Sequence, residues 1–191
     1  QRPVVTYEIL PPREKDGTLN SYAEKISSLL SQTHIDAINI PEVREEEGRG
    51  KRPVVNSSRA EPRHFGRLLQ DMVGVESIVN RVVVHDELKN QIKWFEETHE
   101  KYEIENMIIV GGESSKIKYI GPTVNQVLEI VAFKYNNNGG DILCGGITLP
   151  TRSNESKNLI RKSGNGAEFF TTQVLCDSVN IVKMMNKYQE R

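Results

Sequence analysis

The chain alternates between short runs of β-branched residues and longer stretches that carry the apolar spacing of a helix. Strands that alternate with helices in this way are typical of consecutive β-α units, which pair into a parallel sheet. Six such runs are present, so the sequence predicts six strands. The predicted strands are residues 4–10, 36–40, 81–85, 107–110, 141–149 and 169–175.

Each run is followed by a stretch that predicts an amphipathic helix. The clearest apolar stripes run from Leu19 to Leu30, from Phe65 to Met72 and from Val124 to Val131. Weaker stripes follow the third and fifth runs. The last helix is predicted to begin at Asp177, whose side chain suits an N-cap position.

Polar or ionisable side chains stand at or just after the ends of several predicted strands. They are Glu8, Asn39, Glu42, His85, Glu113 and Gln173. A (β/α)8 barrel assembles its active site from the carboxyl ends of its strands, so this pattern favours an α/β barrel of the TIM type over a doubly wound sheet. The 191 residues supply about six of the eight units that a closed barrel needs. We therefore predict one barrel domain over residues 1–191 that lacks its last two β-α units.

The charges of the chain are balanced, with 25 Lys and Arg against 26 Asp and Glu and a net charge of −1. Proteins that bind nucleic acids or membrane surfaces usually carry a basic excess, so we expect neither partner. No apolar run approaches the roughly 20 residues that cross a bilayer. Cys144 and Cys176 each lie in an apolar run and are predicted to be buried, reduced thiols, which favours the cytoplasm and no metal site.

The first predicted strand contains one carboxylate, Glu8, and is followed by Pro11-Pro12. A carboxylate inside a strand is costly to bury unless it is protonated or paired. Two interpretations stay open. Glu8 is either a general acid that holds its proton near neutral pH, or half of a structural ion pair with Arg13 or Arg81.

Three later segments could contact a ligand. Gly111-Gly112 follows the fourth predicted strand and lets the backbone approach a ligand closely, although a plain turn is the alternative. A predicted helix start near Arg152 and Glu155, with Lys162 further along, suits a phosphate, and a capped, solvated helix is the alternative. Gln173 offers an amide that both donates and accepts hydrogen bonds.

Residues 41–62 are rich in charges and contain two glycines. They are too polar and too broken for a packed element, so they predict a long β-α loop. Such a loop is either solvated or a binding lid, because long loops in compact domains are often functional.

Taken together, these segments resemble the methylenetetrahydrofolate reductase family, in the same order along the chain. Glu8, two large apolar residues, Pro11-Pro12 and Arg13 look like that family's first-strand motif. Gly112-Glu113 falls where the family has Gly-Asp after the fourth strand. The stretch from Glu155 to Gln173 resembles a family segment that has an acidic residue, a helical Lys, Gly-Ala, an aromatic strand and Thr-Gln in this order. The residues that match after Glu155 are Lys162, Gly166-Ala167, Phe169-Phe170 and Thr172-Gln173.

The resemblance implies a (β/α)8 barrel that holds FAD and reduces 5,10-methylenetetrahydrofolate to 5-methyltetrahydrofolate with NAD(P)H. This oxidoreductase step belongs to one-carbon metabolism and methionine biosynthesis. Glu8 would be the general acid, Glu113 a carboxylate near flavin and pterin, and Gln173 a folate contact. The cofactor-binding residues would be Gly112, Arg152, Glu155 and Lys162, the last two on the FAD ribose and phosphates. The resemblance further implies a homo-oligomer or a completing partner subunit.

The sequence also departs from the family pattern. Pro41 stands where the family has a flavin-contacting Thr, and proline has neither a hydroxyl nor an N–H. Glu113 is one methylene longer than the family's Asp. These departures support an alternative, in which the chain is a non-catalytic folate- or flavin-binding protein or a subunit of a larger one-carbon enzyme complex.

Overall fold

A computed structural model describes residues 2–44, 58–112, 116–135 and 142–190. Strands and helices alternate throughout this part of the chain, as the sequence predicts. No helix within it is long and apolar enough to cross a membrane. The elements are β1 (Thr6–Glu8), α1 (Leu19–Leu30), β2 (Ala37–Ile40), α2 (Pro62–Val73), β3 (Glu76–Val82), α3 (Leu88–Glu100), β4 (Asn106–Val110), α4 (Val124–Lys134), β5 (Leu143–Thr148), α5 (Glu155–Gly164), β6 (Phe169–Thr172) and α6 (Val179–Gln189).

The six strands form one parallel sheet in the order β1-β2-β3-β4-β5-β6. When the strand order never reverses, right-handed crossovers place every connecting helix on the same face of the sheet. A doubly wound sheet reverses its order and carries helices on both faces. The arrangement is therefore part of a (β/α) barrel, and the described residues supply six of the eight strands that closure requires.

One face of the sheet, called here the helix face, packs against the helices. Ile38 and Ile40 of β2 lie in an apolar cluster with residues of α1 and α2, and Met107 and Ile109 of β4 lie in a second cluster with α3 and α4. Side chains alternate along a strand, so the residues between these positions, such as Asn39, lie on the opposite face. We call that opposite face the inner face.

Helix α2 illustrates how local sequence sets these elements. Glu61 accepts a hydrogen bond from the His64 N–H at 2.9 Å, and Pro62 occupies the first turn, where its missing N–H costs nothing. Gly74 ends the helix with a φ of 77°, a left-handed conformation that favours glycine. Between these ends, Phe65 and Leu69 turn one fully buried face to the sheet.

Several predicted boundaries were wrong, and those of the third strand and the last helix matter most; the first and sixth strands are also shorter than predicted. The third strand is Glu76–Val82 rather than 81–85, and Val83–His85 forms a 3-10 turn beyond it. The buried polar residues Ser77 and Asn80 interrupt the apolar pattern of the strand and hide its beginning. The last helix has Ser178 at its N-cap, although Asp177 still accepts a hydrogen bond from the Val179 N–H at 3.0 Å.

Both edges of the sheet expose apolar side chains. Val174, two residues after β6, is 94% exposed, and Val179 and Val182 form an exposed stripe on α6. Val4 is exposed in the same way just before β1 at the other edge. The exposed stretch after β6 also includes Cys176, so the prediction that this thiol is buried was wrong.

The other thiol, Cys144, is buried on the helix face, as predicted. Burial raises the pKa of Cys144 to about 12, because the apolar surroundings disfavour the charged thiolate. This thiol is therefore a packing group, and its place in the core explains the apolar run that surrounds it.

Buried Arg81 joins the end of β2 to α3 through a network of charges. Its guanidinium donates to Glu42 Oε1 at 2.8 Å, to Asp86 Oδ2 at 2.8 Å and to Gln91 Oε1 at 2.9 Å. Arg44 contacts the same two carboxylates at 2.8 and 2.9 Å. Burial lowers the pKa of Arg81, and the charges of Glu42 and Asp86 oppose that shift.

This network corrects part of the prediction for residues 41–62. Their first residues are not a solvated loop, because Glu42 and Arg44 are anchored to β3 by Arg81 and Asp86. Residues 45–57 lie outside the described residues.

We expect Glu42→Gln to lower the free energy of unfolding by about 3 kcal/mol, because it leaves buried Arg81 with one carboxylate fewer. The matched control is Asp71→Asn, which breaks an exposed ion pair with Arg67 on α2 and should cost less than about 1 kcal/mol. Urea denaturation of both variants measures the difference. Equal losses in the two variants would contradict a stabilising role for the network.

Candidate functional site

Polar side chains of the inner face are concentrated on the first three strands. Glu8 is the last residue of β1 and lies beside Asn39 of β2 in the register. Asn39 in turn lies beside Ile78 of β3, and Asn80 is two residues further along that strand. The period of two places Glu8, Asn39 and Asn80 on the same face. We call these three residues the inner-face polar group.

The structure contradicts the ion-pair interpretation of Glu8, and its role as a general acid stays a prediction. All three residues of β1 are exposed, so Glu8 is not desolvated as a strand-interior acid would be. Arg13 pairs with Asp16 and Arg81 with Glu42, so the predicted ion pair with Glu8 is wrong. Instead, Asn39 Nδ2 donates to Glu8 Oε2 at 2.9 Å. The result is an accessible carboxylate at the carboxyl end of a strand, the position from which barrel proteins build their sites.

The two asparagines of this group are buried and incompletely bonded. Asn39 is 9% exposed and Asn80 is 8% exposed. Within the part of the chain that the structure describes, the Oδ1 atom of each has no hydrogen-bond partner. Most buried polar side-chain atoms in folded proteins are hydrogen-bonded, so two unpaired acceptors on neighbouring strands require an explanation.

Gly112 has a packing reason to be glycine. A Cβ atom there would lie 2.1 Å from Cζ of Tyr119, so a larger residue would require the Tyr119 ring to move away from the backbone. Tyr119 also meets the ring of His85 edge-on, with centroids 5.5 Å apart. A cofactor contact at Gly112 stays a prediction, and Glu113 lies outside the described residues.

Glu155, predicted to bind the cofactor, is the first residue of α5, and its side chain is fully buried. Its Oε1 accepts from the Thr148 hydroxyl and the Leu149 N–H, both at 3.1 Å, and its Oε2 accepts from Asn158 at 3.0 Å. Burial alone would raise the pKa of Glu155, but the bonds from Asn158 and the Leu149 N–H, with the charge of Lys162, outweigh it and lower the pKa. The ionised carboxylate is therefore used inside the protein, although half of α5 is exposed and Gly164 lies in its last turn, as the solvated-helix interpretation expects.

Lys162 is largely buried beside Glu155. Its ammonium donates to the Ile147 carbonyl and lies 3.9 Å from Glu155 Oε1. Burial lowers the pKa of Lys162 more than the attraction of Glu155 raises it. In a simple ion pair the pKa of the lysine would be raised, whereas here the pKa values of Glu155 and Lys162 are both lowered. The hydrogen bonds from Asn158 and Leu149 lower the pKa of Glu155 more than the charge of Lys162 does.

These contacts decide how well the two residues fit FAD. A ribose needs free acceptors and a diphosphate needs free donors, whereas Glu155 and Lys162 direct their polar atoms to one another and to β5. In this arrangement they fasten α5 to the sheet and do not fit the cofactor contacts that the resemblance implies.

The other predicted residues are accessible. Arg152 is exposed and lines a cleft of about 150 Å³ with Lys183 and Lys187 of α6. Gln173 directly follows β6 and is exposed. Among the described residues, no group of three or more His, Cys, Asp or Glu side chains could hold a metal ion.

Asn80 was missed by the sequence analysis. The third strand was predicted to begin at Arg81, which left Asn80 outside the strand. A polar residue between Val79 and Arg81 in a β-branched run was the available signal, since such a residue on a buried strand needs a partner.

Solved structures with the same fold include several barrel proteins. One is a protein from Clostridium thermocellum that is described as binding two copies of 5-methyl-5,6,7,8-tetrahydrofolic acid. It is 16% identical in sequence with a TM-score of 0.73, and the match covers 98% of this chain and 60% of the Clostridium chain. The 4-hydroxy-tetrahydrodipicolinate synthase of Methylacidiphilum fumariolicum SolV is 14% identical, with a TM-score of 0.56 over 98% and 59%. A 2,3-dimethylmalate lyase of the PEP mutase/isocitrate lyase superfamily is 11% identical, with a TM-score of 0.55 over 95% and 62%.

These similarities establish a partial (β/α) barrel fold. The chain spans about 60% of the length of these structures. No protein-family model and no curated protein matches the sequence significantly.

We expect Glu155→Gln to destabilise the protein near neutral pH but not in acid. The pKa of Glu155 is lower in the folded state than in the unfolded chain, so its ionised form stabilises the fold above about pH 4.3 and that contribution is lost as the pH falls through the folded-state pKa. Melting temperatures measured between about pH 3 and pH 7 should therefore converge for the two proteins at the acid end.

The matched control is Glu129→Gln, at an exposed position on α4. Its melting temperature should follow that of the unsubstituted protein at every pH. A difference between Glu155→Gln and the unsubstituted protein that stays constant down to the lowest pH would contradict the role of the ionised carboxylate.

Proposed function

We propose that this chain binds a reduced folate on the inner face, at the carboxyl ends of β1 to β3. The fold it shares with a protein described as binding 5-methyltetrahydrofolate supports this proposal. The resemblance of the Glu8 and Gln173 segments to the methylenetetrahydrofolate reductase family supports it independently, because that resemblance rests on residues and not on shape.

The observation that carries the proposal is the accessible Glu8 carboxylate held by Asn39 on the inner face. A reduced pterin presents ring N–H groups and an exocyclic amine, and all of these are hydrogen-bond donors. An ionised carboxylate offers only acceptors, and its hydrogen bonds to such donors are short and strong. The bond from Asn39 fixes one carboxylate oxygen and leaves the other, Oε1, for the ligand.

A donor-rich heterocycle suits this face better than an anionic ligand does. The inner-face polar group contains one carboxylate and two amides and no cation, so a phosphate would meet an oxygen-rich surface. Gln173 follows β6 at the other end of the sheet and is exposed, so its amide is available to a second part of the folate.

The test is calorimetric titration of the protein with 5-methyltetrahydrofolate. We expect saturable binding, and we expect Glu8→Gln to weaken it about 10- to 100-fold, the loss of about 1.5–3 kcal/mol for a hydrogen bond to a charged group. Glu24→Gln is the matched control, since it removes the same charge from an exposed position on α1 and should bind normally. No binding by the unsubstituted protein at about 1 mM ligand would refute the proposal.

The flavin-dependent reductase is the second candidate, favoured by the accessible Glu8 within its Pro11-Pro12 motif. This activity would require FAD to find contacts other than Glu155 and Lys162. Purified protein that carries flavin absorbance near one equivalent would support the reductase. Colourless protein whose melting temperature does not respond to added FAD would exclude it and leave the folate-binding function in place.

A further inference from the structure

Two buried acceptors on the inner face, Asn39 Oδ1 and Asn80 Oδ1, have no partner among the described residues. Each residue is more than nine-tenths buried. A buried polar atom without a hydrogen bond costs free energy, and sequences normally avoid it by placing an apolar residue there. Two such atoms on one face of neighbouring strands therefore point to a hydrogen-bond donor beyond the described residues, and a bound ligand can supply one.

The orientation of the Asn39 amide is fixed by its neighbour. Its Nδ2 donates to the carboxylate of Glu8, which can only accept, so exchanging the amide nitrogen and oxygen would break that bond. Asn39 Oδ1 is therefore an acceptor. Asn80 Oδ1 likewise has no partner among the described residues and is available to accept a hydrogen bond from a ligand.

The two amides are close enough to contact one small molecule. Asn39 lies beside Ile78, and Asn80 is two residues further along β3 on the same face. A strand spacing of about 4.8 Å and a rise of about 3.3 Å per residue place their Cα atoms about 8 Å apart. A fused bicyclic heterocycle with donors on two edges spans such a gap between two side chains.

We propose that Asn39 and Asn80 select the ligand by accepting hydrogen bonds from the ring N–H and exocyclic amino groups of a reduced pterin, with Glu8 beside them. This inference rests on the proposed folate-binding function and names the residues that read the heterocycle. A ligand with acceptors at those positions would leave both asparagine oxygens unpaired, and sites built around buried polar groups discriminate strongly against such analogues.

The decisive variant is Asn80→Leu, because the proposal predicts opposite effects on stability and on binding. Leucine has a similar size and removes a buried acceptor that has no partner, so the melting temperature of the free protein should rise or stay unchanged. The affinity for 5-methyltetrahydrofolate, measured by calorimetry, should fall about 5- to 100-fold, because a donor of the bound pterin is then buried without a partner.

Two further measurements make this result specific. The matched control is Asn125→Leu, which also removes an unpaired Oδ1 atom but lies on α4, away from the inner face, and should leave folate affinity unchanged. p-Aminobenzoylglutamate, the part of folate without the pterin, should bind equally to the unsubstituted protein and to Asn80→Leu. Asn80→Ala provides the same comparison if leucine prevents folding.

The outcomes separate this inference from the function on which it rests. Tight folate binding by the unsubstituted protein, with equal affinity in Asn80→Leu and Asn80→Ala, would overturn the role of Asn80 and leave folate binding intact. An equal loss of affinity in Asn125→Leu would also overturn it. No folate binding by the unsubstituted protein would refute the proposed function itself.

Discussion

The strand order of the sheet is the constraint on which the rest of the structure depends. Because the order never reverses, all of the connecting helices cover one face, and apolar residues of β2 to β5 pack against them there. The opposite face is then free to carry side chains that do not serve helix packing. Glu8, Asn39 and Asn80 are found on that face, whereas buried Arg81 lies on the helix face and is fully matched by Glu42, Asp86 and Gln91.

The sequence predicted the architecture better than the site, and the third strand illustrates the difference. The alternation of strands and helices can be recognised even when a boundary is misplaced by several residues. Six units were therefore predicted although this strand begins at Glu76 rather than Arg81. A site depends on single positions and on which face each occupies. Because the strand was predicted to begin five residues late, Asn80 was left outside it. Even a one-residue shift in register exchanges the two faces of a strand.

Burial and partnership could not be predicted from residue type. Glu8 and Glu155 are both glutamates in motifs that resemble one family, yet Glu8 is exposed at a sheet edge and Glu155 is enclosed by Thr148, Leu149 and Asn158. The difference arises from tertiary contacts between β5 and α5. These contacts bring together residues that, taken singly in the sequence, do not indicate a buried carboxylate. Spacing gives part of the answer, since Asn158 is three residues after Glu155 and hence on the same side of a helix.

The described part of the chain lacks two kinds of contact, and their chemistry differs. Apolar groups are exposed beside the sheet edge at β6, such as Val174 after the strand and Val182 on α6, and further β-α units of a barrel would cover them by packing. The inner face instead leaves the Oδ1 atoms of Asn39 and Asn80 without hydrogen bonds. Apolar packing cannot satisfy an acceptor, and a donor-rich small molecule cannot cover an apolar edge. Closure of a barrel and binding of the proposed ligand would therefore satisfy different groups, and closure would strengthen any hydrogen bond made on the inner face by excluding water.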